Sequence, residues 1–336
     1  MAIEKRLTIS VAAFNVSTYL QETLESCVIP EIMDALEVIV VNDGSTDETG
    51  KIAQQFVDLY PETFRLINKE NGGYGTTVCR SMREAKGTYF KLLDGDDWLD
   101  RDGLIKLVQL LKNTEADWVL TRVLRVKDGT YETSEDNPGW LNLCGRTCAV
   151  KELSSLNFSR DIGMWSLTSK TELLRRHSFE LPEHKFYTDQ LFVFYQMPFV
   201  RTIDFCDFSV YKYRIGRDGQ SISRQSRVKN YRDAIDNTLT MLDYYKQYRE
   251  SQRENDSFMM QRLASYYIFA VKTYLLLPAS KQTKNDIMVL EKRCKTTTED
   301  VYNEAYHRRS KVIIILRLTR YLAYYPLAKI GISNWG

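Results

Sequence analysis

The chain has 336 residues, 43% of them apolar and 27% charged, with a formal net charge of +2. That length suits one large domain or two ordinary ones, and the composition supports a packed globular core. The near-neutral balance offers no overall basic field, so no nucleic-acid partner is expected.

Residues 7–14 (LTISVAAF) read as a buried strand, and residues 18–27 as a helix with Thr18 and Gln21 at capping-box spacing. Residues 36–41 (LEVIVV) form a second predicted strand. Ser45-Thr46-Asp47-Glu48 reads as a capping box opening a helix to about Tyr60. A third strand is expected at 64–67, a loop at Asn71-Gly72-Gly73, a helix at 76–85 and a fourth strand at 88–93. A helix at 101–112 and a fifth strand at 117–126 complete the series. Alternation of this kind predicts an α/β fold, a mostly parallel sheet with helices on both faces. Ligands of such sheets bind beyond the carboxyl ends of the strands. Three polar clusters fall on that edge: Phe14-Asn15, Asn42 to Ser45, and Asp94 to Asp97.

From about Val228 helical periodicity takes over, with helices predicted at 233–249, 258–277 and 284–302. The expected division is a catalytic domain at 1–225 and a helical region at 226–336. The cysteines are Cys27, Cys79, Cys144, Cys148, Cys206 and Cys294. The one close pair, Cys144 and Cys148, lacks a second pair for zinc, so buried reduced thiols are expected. The opening MAIEKRLTIS has no signal-peptide apolar core, and no apolar run reaches the roughly 20 residues that span a bilayer. A cytoplasmic location is therefore expected.

Asp94-Gly95-Asp96-Asp97 follows an apolar strand, and hard carboxylate oxygens there suit Mg2+ or Mn2+. Alone, the cluster reads first as a solvated acidic turn that caps the helix starting near Asp100, but Asp43 ends a neighbouring strand in the same way. Four stretches together say more. SVAAFNVSTYLQETLES, EVIVVNDGSTDET, NGGYGTTVCRSMREAKGTYFKLLDGDDWL and YTDQLF resemble family 2 glycosyltransferases of the GT-A fold, in matching order along about the first 215 residues. The resemblance implies an inverting transferase that moves sugar from a nucleotide-sugar donor, a UDP-sugar first of all, to a saccharide acceptor. The acceptor would be lipid- or protein-linked, in bacterial surface-glycan synthesis, with Mn2+ or Mg2+ as cofactor.

Carried over residue by residue, Phe14 lies against the nucleobase with Ala12 and Asn15 beside it; otherwise it is a strand-end core aromatic. Asp43 accepts a hydrogen bond from the base, or else is only a turn residue. Asn71, Gly72 and Gly73 let the backbone approach the donor closely. Asp94 and Gly95 belong to the donor site, Asp94 holding the ribose, and Asp94 and Asp96 form the metal pair. Asp97 orients its neighbours or caps a helix. Asp189 matches the catalytic base, which takes a proton from the acceptor hydroxyl; its bland reading is an N-cap before residues 190–196. The family usually has Glu-Asp there, and this chain has Thr188-Asp189. Trp165 and His184 are candidate acceptor contacts, with core packing and a surface histidine as their plain alternatives. Arg214 and Arg217 sit in YKYRIGRDGQSIS, read as a mobile basic loop after the last strand that closes on the diphosphate, or as a solvated linker.

After Glu304 no acid occurs, while Arg308, Arg309, Lys311, Arg317, Arg320 and Lys329 interleave with VIIIL, YLAYYPL and Trp335. Such a segment suits an anionic membrane surface, or packs on the domain or on a second subunit of a homo-oligomer. Ile313, Leu316, Arg317 and Arg320 share one helical face, a mixture that predicts a lipid interface over a dry core. Two other readings are a sugar-nucleotide nucleotidyltransferase and a degenerate transferase acting as a partner protein. The first strand lacks the Gly-rich basic loop of the former, and the intact Asp43, Asp94, Asp96 and Asp189 disfavour the latter.

Overall fold

The computed structural model describes residues 4–153, 162–177, 179–217, 220–221, 223–307 and 310–330. The chain divides into two compact units, Met1–Arg217 and Asp218–Gly336, so the division falls earlier than the expected 225/226.

In the first unit the elements are β1 (Leu7–Ala13), α1 (Ser17–Glu25), β2 (Leu36–Asp43), α2 (Thr49–Leu59), β3 (Phe64–Lys69), α3 (Tyr74–Glu84), β4 (Tyr89–Asp94), β5 (Trp98–Leu99) and α4 (Arg101–Leu111). They continue as β6 (Trp118–Lys127), β7 (Thr133–Glu135), β8 (Thr147–Ala149), β9 (Leu167–Lys170), α5 (Thr171–Arg176), α6 (Thr188–Gln196) and β10 (Thr202–Ile215). The strands form one mixed sheet in the order β3-β2-β1-β4-β9-β6-β10-β5, with β7 on β6 and β8 on β10. β3, β2, β1 and β4 run parallel, as do β6 and β10. β9 lies antiparallel between β4 and β6 and joins the two parallel groups. Leu7, Ile9 and Val11 of β1 and Val38 to Val41 of β2 are almost fully buried. Strands covered on both faces read as continuous apolar runs, which is why the sequence marks them clearly.

Neither expected capping box forms. α1 starts at Ser17, whose N–H donates to Asp47 Oδ2 at 3.1 Å, while the Val16 N–H donates to Thr49 Oγ1 at 2.9 Å. The orphan amides of one helix are thus satisfied by the loop opening the next. α2 begins only at Thr49, because Ser45 Oγ accepts the Asn15 N–H at 3.0 Å instead of capping its own helix. At α4 a local cap does form, with the Gly103 N–H donating to the Asp100 carboxylate at 3.0 Å.

The second unit is helical: α7 (Arg224–Lys229), α8 (Tyr231–Tyr248), α9 (Asp256–Tyr274), α10 (Lys281–Thr297), α11 (Glu299–His307), α12 (Lys311–Leu318) and α13 (Tyr324–Ile330). Among the described residues no helix is long and apolar enough to cross a membrane. The helix expected at 284–302 breaks at Thr298, which is extended and accepts the Val301 N–H on its hydroxyl at 3.4 Å. The β-branched run Thr296-Thr297-Thr298 lowers helix propensity there. The expectation for Arg317 is also overturned. Its Nε lies 2.6 Å from Glu291 Oε1, its Nη1 donates to Tyr302 O at 2.8 Å, and its guanidinium stacks 3.5 Å from the Tyr302 ring centroid. A paired, stacked arginine is compatible with the interior, and Val312, Ile313 and Leu316 are buried beside it in α12. Arg308, Arg309 and Trp335 lie outside the described residues.

Candidate active site

β1 lies between the two strands whose ends carry carboxylates. Ala13 is in register with Asn42 of β2, and Ala12 with Asp94 of β4. The Gly95 N–H donates to Ala12 O at 3.0 Å, and a Cβ on Gly95 would lie 2.8 Å from that oxygen and 2.9 Å from Val16 Cγ2. Glycine is therefore required for the turn to fold back on β1. Phe14, at the end of β1, is 49% exposed, which rules out the core-aromatic alternative. Asn15 Oδ1 accepts the Thr46 N–H at 2.9 Å, binding the end of β1 to the loop after β2.

Asp43 is 2% exposed, yet its carboxylate is surrounded by donors. Oδ1 accepts from Lys69 Nζ and, at 3.0 Å, from the Gly72 N–H. Oδ2 accepts from the Gly73 N–H at 2.8 Å and from Asn71 Nδ2 at 3.2 Å, and Asn71 Nδ2 also reaches Asp43 O at 2.9 Å. A carboxylate offers about four acceptor positions, and the 69–73 loop supplies four donors. In this conformation Asp43 shapes the loop, and recognition of a base would replace one of these bonds.

Oxygens of Asp94, Asp96 and Asp97 lie within 4.8 Å of one another. The three differ in their commitments. Asp97 is buried, with Oδ2 accepting from the Tyr211 hydroxyl at 2.7 Å and Oδ1 from the Arg214 N–H at 2.8 Å. That pins the acidic turn to β10. Arg214 departs from expectation: it lies inside β10 and is 3% exposed. Its Nη2 lies 2.6 Å from Glu22, Nη1 lies 2.9 Å from Asp128, and Nε donates to Asp96 O at 2.8 Å. The guanidinium is sandwiched 4.8 Å from the Tyr19 ring centroid and 4.5 Å from that of Trp98. Such a group cannot swing onto a diphosphate; it braces the turn. Arg217 instead reaches Asp96, its Nε and Nη2 each 2.5 Å from Oδ2.

Burial, then the charges of Asp97, Asp96 and Asp189, push the Asp94 carboxyl well above the usual range, and the Tyr74 hydroxyl acts against them. A cluster of three hard carboxylates could hold a divalent cation through Asp94 and Asp96, since both Asp97 oxygens are engaged and Arg217 occupies Asp96 through Oδ2 alone.

Asp189 occupies the first turn of α6, whose N-cap is Tyr187 at φ 62°, so the N-cap alternative for Asp189 fails. Its Oδ2 accepts from Gln190 Nε2 at 2.6 Å. Its negative charge contributes to raising the Asp94 carboxyl and the Tyr74 and Tyr213 hydroxyls above their ordinary ranges. Thr188, where the family has Glu, is buried. Trp165 is half-buried and stacks on Tyr213 at 5.6 Å and 21°. His184 is exposed; its N–H donates to Gly72 O at 2.8 Å, so its backbone abuts the 71–73 loop.

Several residues escaped the sequence reading. Lys69 answers Asp43, and the Tyr74 hydroxyl donates to Met164 Sδ at 3.3 Å while helping to hold the Asp94 carboxyl down. Lys91 is buried on β4 and donates to Trp165 O at 2.7 Å and Leu167 O at 3.3 Å, supporting the wall that carries Trp165. A lysine inside the apolar run YFKLLD was the available signal. Tyr211 gave none, since its partners are 114 and 117 positions away in the chain.

This fold and this carboxylate-lined sheet edge define a glycosyltransferase of GT-A type. The family model described as glycosyl transferase family 2 matches residues 8–180, just over half the chain. The chain belongs to that family. It is 25% identical over 268 residues to the putative glycosyltransferase EpsH of Bacillus subtilis, covering 76% of this chain and 74% of that protein. It is 23% identical over 314 residues to the glycosyltransferase GlyA of Streptococcus pneumoniae, covering 85% of this chain but only 43% of GlyA. Among solved structures, S. aureus TarS 1–349 in complex with UDP-GlcNAc superposes with a TM-score of 0.60 over 90% of this chain and 91% of that one, at 16% identity. That likeness is one of fold.

Proposed function

We propose that the protein is an inverting, metal-dependent glycosyltransferase that moves a sugar from a UDP-sugar to a saccharide acceptor in bacterial surface-glycan synthesis. The observation that carries the reading is the grouping of Asp94, Asp96 and Asp97 at the end of β4, with their oxygens within 4.8 Å of one another, and a further carboxylate, Asp189, whose charge helps raise the Asp94 carboxyl. The fold shared with a TarS structure holding UDP-GlcNAc supports the choice of donor.

Asp43 orders the Asn71-Gly72-Gly73 loop, and exposed Phe14 offers its ring to the base. Asp94 and Asp96 would hold Mn2+ or Mg2+, which supplies charge neutralisation for the departing diphosphate. Asp189 removes the proton from the acceptor hydroxyl as that oxygen attacks the anomeric carbon. The bond from that carbon to the diphosphate oxygen breaks on the opposite face, its electron pair leaving with the diphosphate, and the configuration inverts. The stacked Trp165 and Tyr213 rings offer an apolar platform for a sugar face. His184 would border the acceptor through the 71–73 loop. Nucleotide sugars are cytosolic, so the enzyme would work in the cytoplasm, at the inner face of the cell membrane.

The test is Asp189→Asn. Donor binding measured by calorimetry is expected to remain within about threefold, while transfer falls by about a hundredfold or more, the range for loss of a general base. Near-normal transfer by the folded variant would move the base elsewhere, with His184 next to be replaced.

A further inference from the structure

The C-terminal helices carry two opposite surfaces. Inward, Val312, Ile313, Leu316, Tyr321, Tyr324 and Leu327 are buried. Outward, Leu318 is 71% exposed, Leu322 79% and Tyr325 38%. Leu322 is held out by a strained turn, in which Arg320 has φ 47° and Tyr321 φ 65°. Non-glycine residues in this region are uncommon and costly. The turn is closed by the Tyr321 N–H donating to Leu316 O at 2.8 Å and the Ala323 N–H to Thr319 Oγ1 at 3.2 Å.

The rim of this surface is basic. Arg320 and Lys329 are exposed on the same segment, and Lys284 of α10 lies 6.0 Å from the Tyr325 ring centroid. Of the acids of α10, Glu291 is spent on Arg317, and Asp286, which accepts from the neutral Gln282 Nε2 at 2.7 Å and keeps its charge, is the one acid there to set against three cations. No Asp or Glu follows Glu304 in the sequence.

We propose that this surface, Leu318, Leu322 and Tyr325 rimmed by Lys284, Arg320 and Lys329, docks on an anionic lipid bilayer. Apolar side chains enter the interface while cationic tips stay among the headgroups. Charge decides between occupants. A symmetric pairing with a second copy would set Arg320 and Lys329 near their own counterparts, whereas an anionic leaflet complements them. Each basic residue near such a surface strengthens binding about fivefold, so three contribute on the order of a hundredfold. The proposal rests on the membrane-facing location in the proposed function and not on its chemistry.

Co-sedimentation of the full chain with phosphatidylglycerol-containing vesicles, beside pure phosphatidylcholine vesicles, tests it. Binding is expected only to the anionic vesicles and should weaken with added salt. Arg320→Gln with Lys329→Gln should lower it about 25-fold at low salt. Leu318→Ser with Leu322→Ser should lower it about tenfold or more. Circular dichroism and sugar-nucleotide cleavage, followed in the same preparations, should be unchanged in both double variants. If the leucine pair fails to fold, the charge pair decides alone. No binding by the full chain, equal binding to both vesicles, or unchanged binding by the charge pair overturns the proposal. So does a dimer in sedimentation velocity that the leucine pair converts to monomer, since a second copy then covers the surface. Vesicle binding without sugar-nucleotide cleavage would sink the transferase reading and leave this one standing.

Discussion

Arg217 donates through Nε to a single oxygen of Asp96 and places Nη2 against the same atom, both at 2.5 Å. A guanidinium so placed engages an Asp96 oxygen that a cation held by Asp96 would need. Arginine and metal would then compete for one carboxylate, and Arg217 becomes available to the donor's diphosphate once displaced. Arg217→Ala is expected to tighten Mn2+ binding by nucleotide-free protein by about tenfold, the scale of a charge-assisted hydrogen bond. Calorimetry without nucleotide measures it, and unchanged affinity would show that the two do not compete.

Asp96→Asn removes one of the two proposed metal ligands and leaves the Arg214 brace on the Asp96 carbonyl in place. Turnover should fall by at least about a hundredfold, the order expected when a transition-state electrostatic contact is lost. Nucleotide affinity should stop responding to Mn2+. A variant that keeps that response would move the metal off Asp96.

The Tyr74 hydroxyl donates to Met164 Sδ at 3.3 Å and favours the charged form of Asp94. Tyr74→Phe deletes the hydroxyl and keeps the ring, so the fold should survive. One hydrogen bond is worth about 1 kcal/mol, which predicts a roughly fivefold loss in donor affinity. Steady-state kinetics at saturating acceptor reads it; an unchanged donor KM would mean that Asp94 does not depend on Tyr74.

Lys91 gives a pH signature. Burial lowers its pKa to about 7 from an ordinary value of 10.5. Between those values the unfolded chain keeps a proton that the folded chain has shed. Stability therefore rises with pH across that window, and the full cost of the buried charge is present below about pH 7. The slope is at most about 1.4 kcal/mol per pH unit. From pH 7 to 9 the wild type should gain up to about 3 kcal/mol relative to Lys91→Met in urea unfolding. The carbonyls that the variant orphans cost the same at both pH values and cancel. Parallel pH profiles would show that Lys91 stays charged.

The legible parts of this molecule were local. The apolar runs of β1, β2 and β4 and the polar groups at their ends stand out because each is contiguous. The resemblance of four stretches carried the fold and the family. The short strands β5, β7, β8 and β9 were missed because two to four residues leave no period to read, and their place comes from long-range pairing. Capping failed for a similar reason: Ser45 looks like a local cap yet holds the end of β1, and Asp47 divides its carboxylate between Ser17 of α1 and Thr49 of its own helix. Arg214 and Arg217 are three residues apart and looked alike. Strand geometry buries one against Glu22 and Asp128 and turns the other to Asp96.

The most direct test of the account is nucleotide release from a panel of nucleotide sugars in the presence of Mn2+. The account predicts that a UDP-sugar is cleaved to UDP, that EDTA stops the reaction and Mn2+ restores it, and that Asp96→Asn is inactive throughout. Cleavage that persists in EDTA, or pyrophosphate formation from UTP and a sugar 1-phosphate with no UDP released from any UDP-sugar, would contradict it.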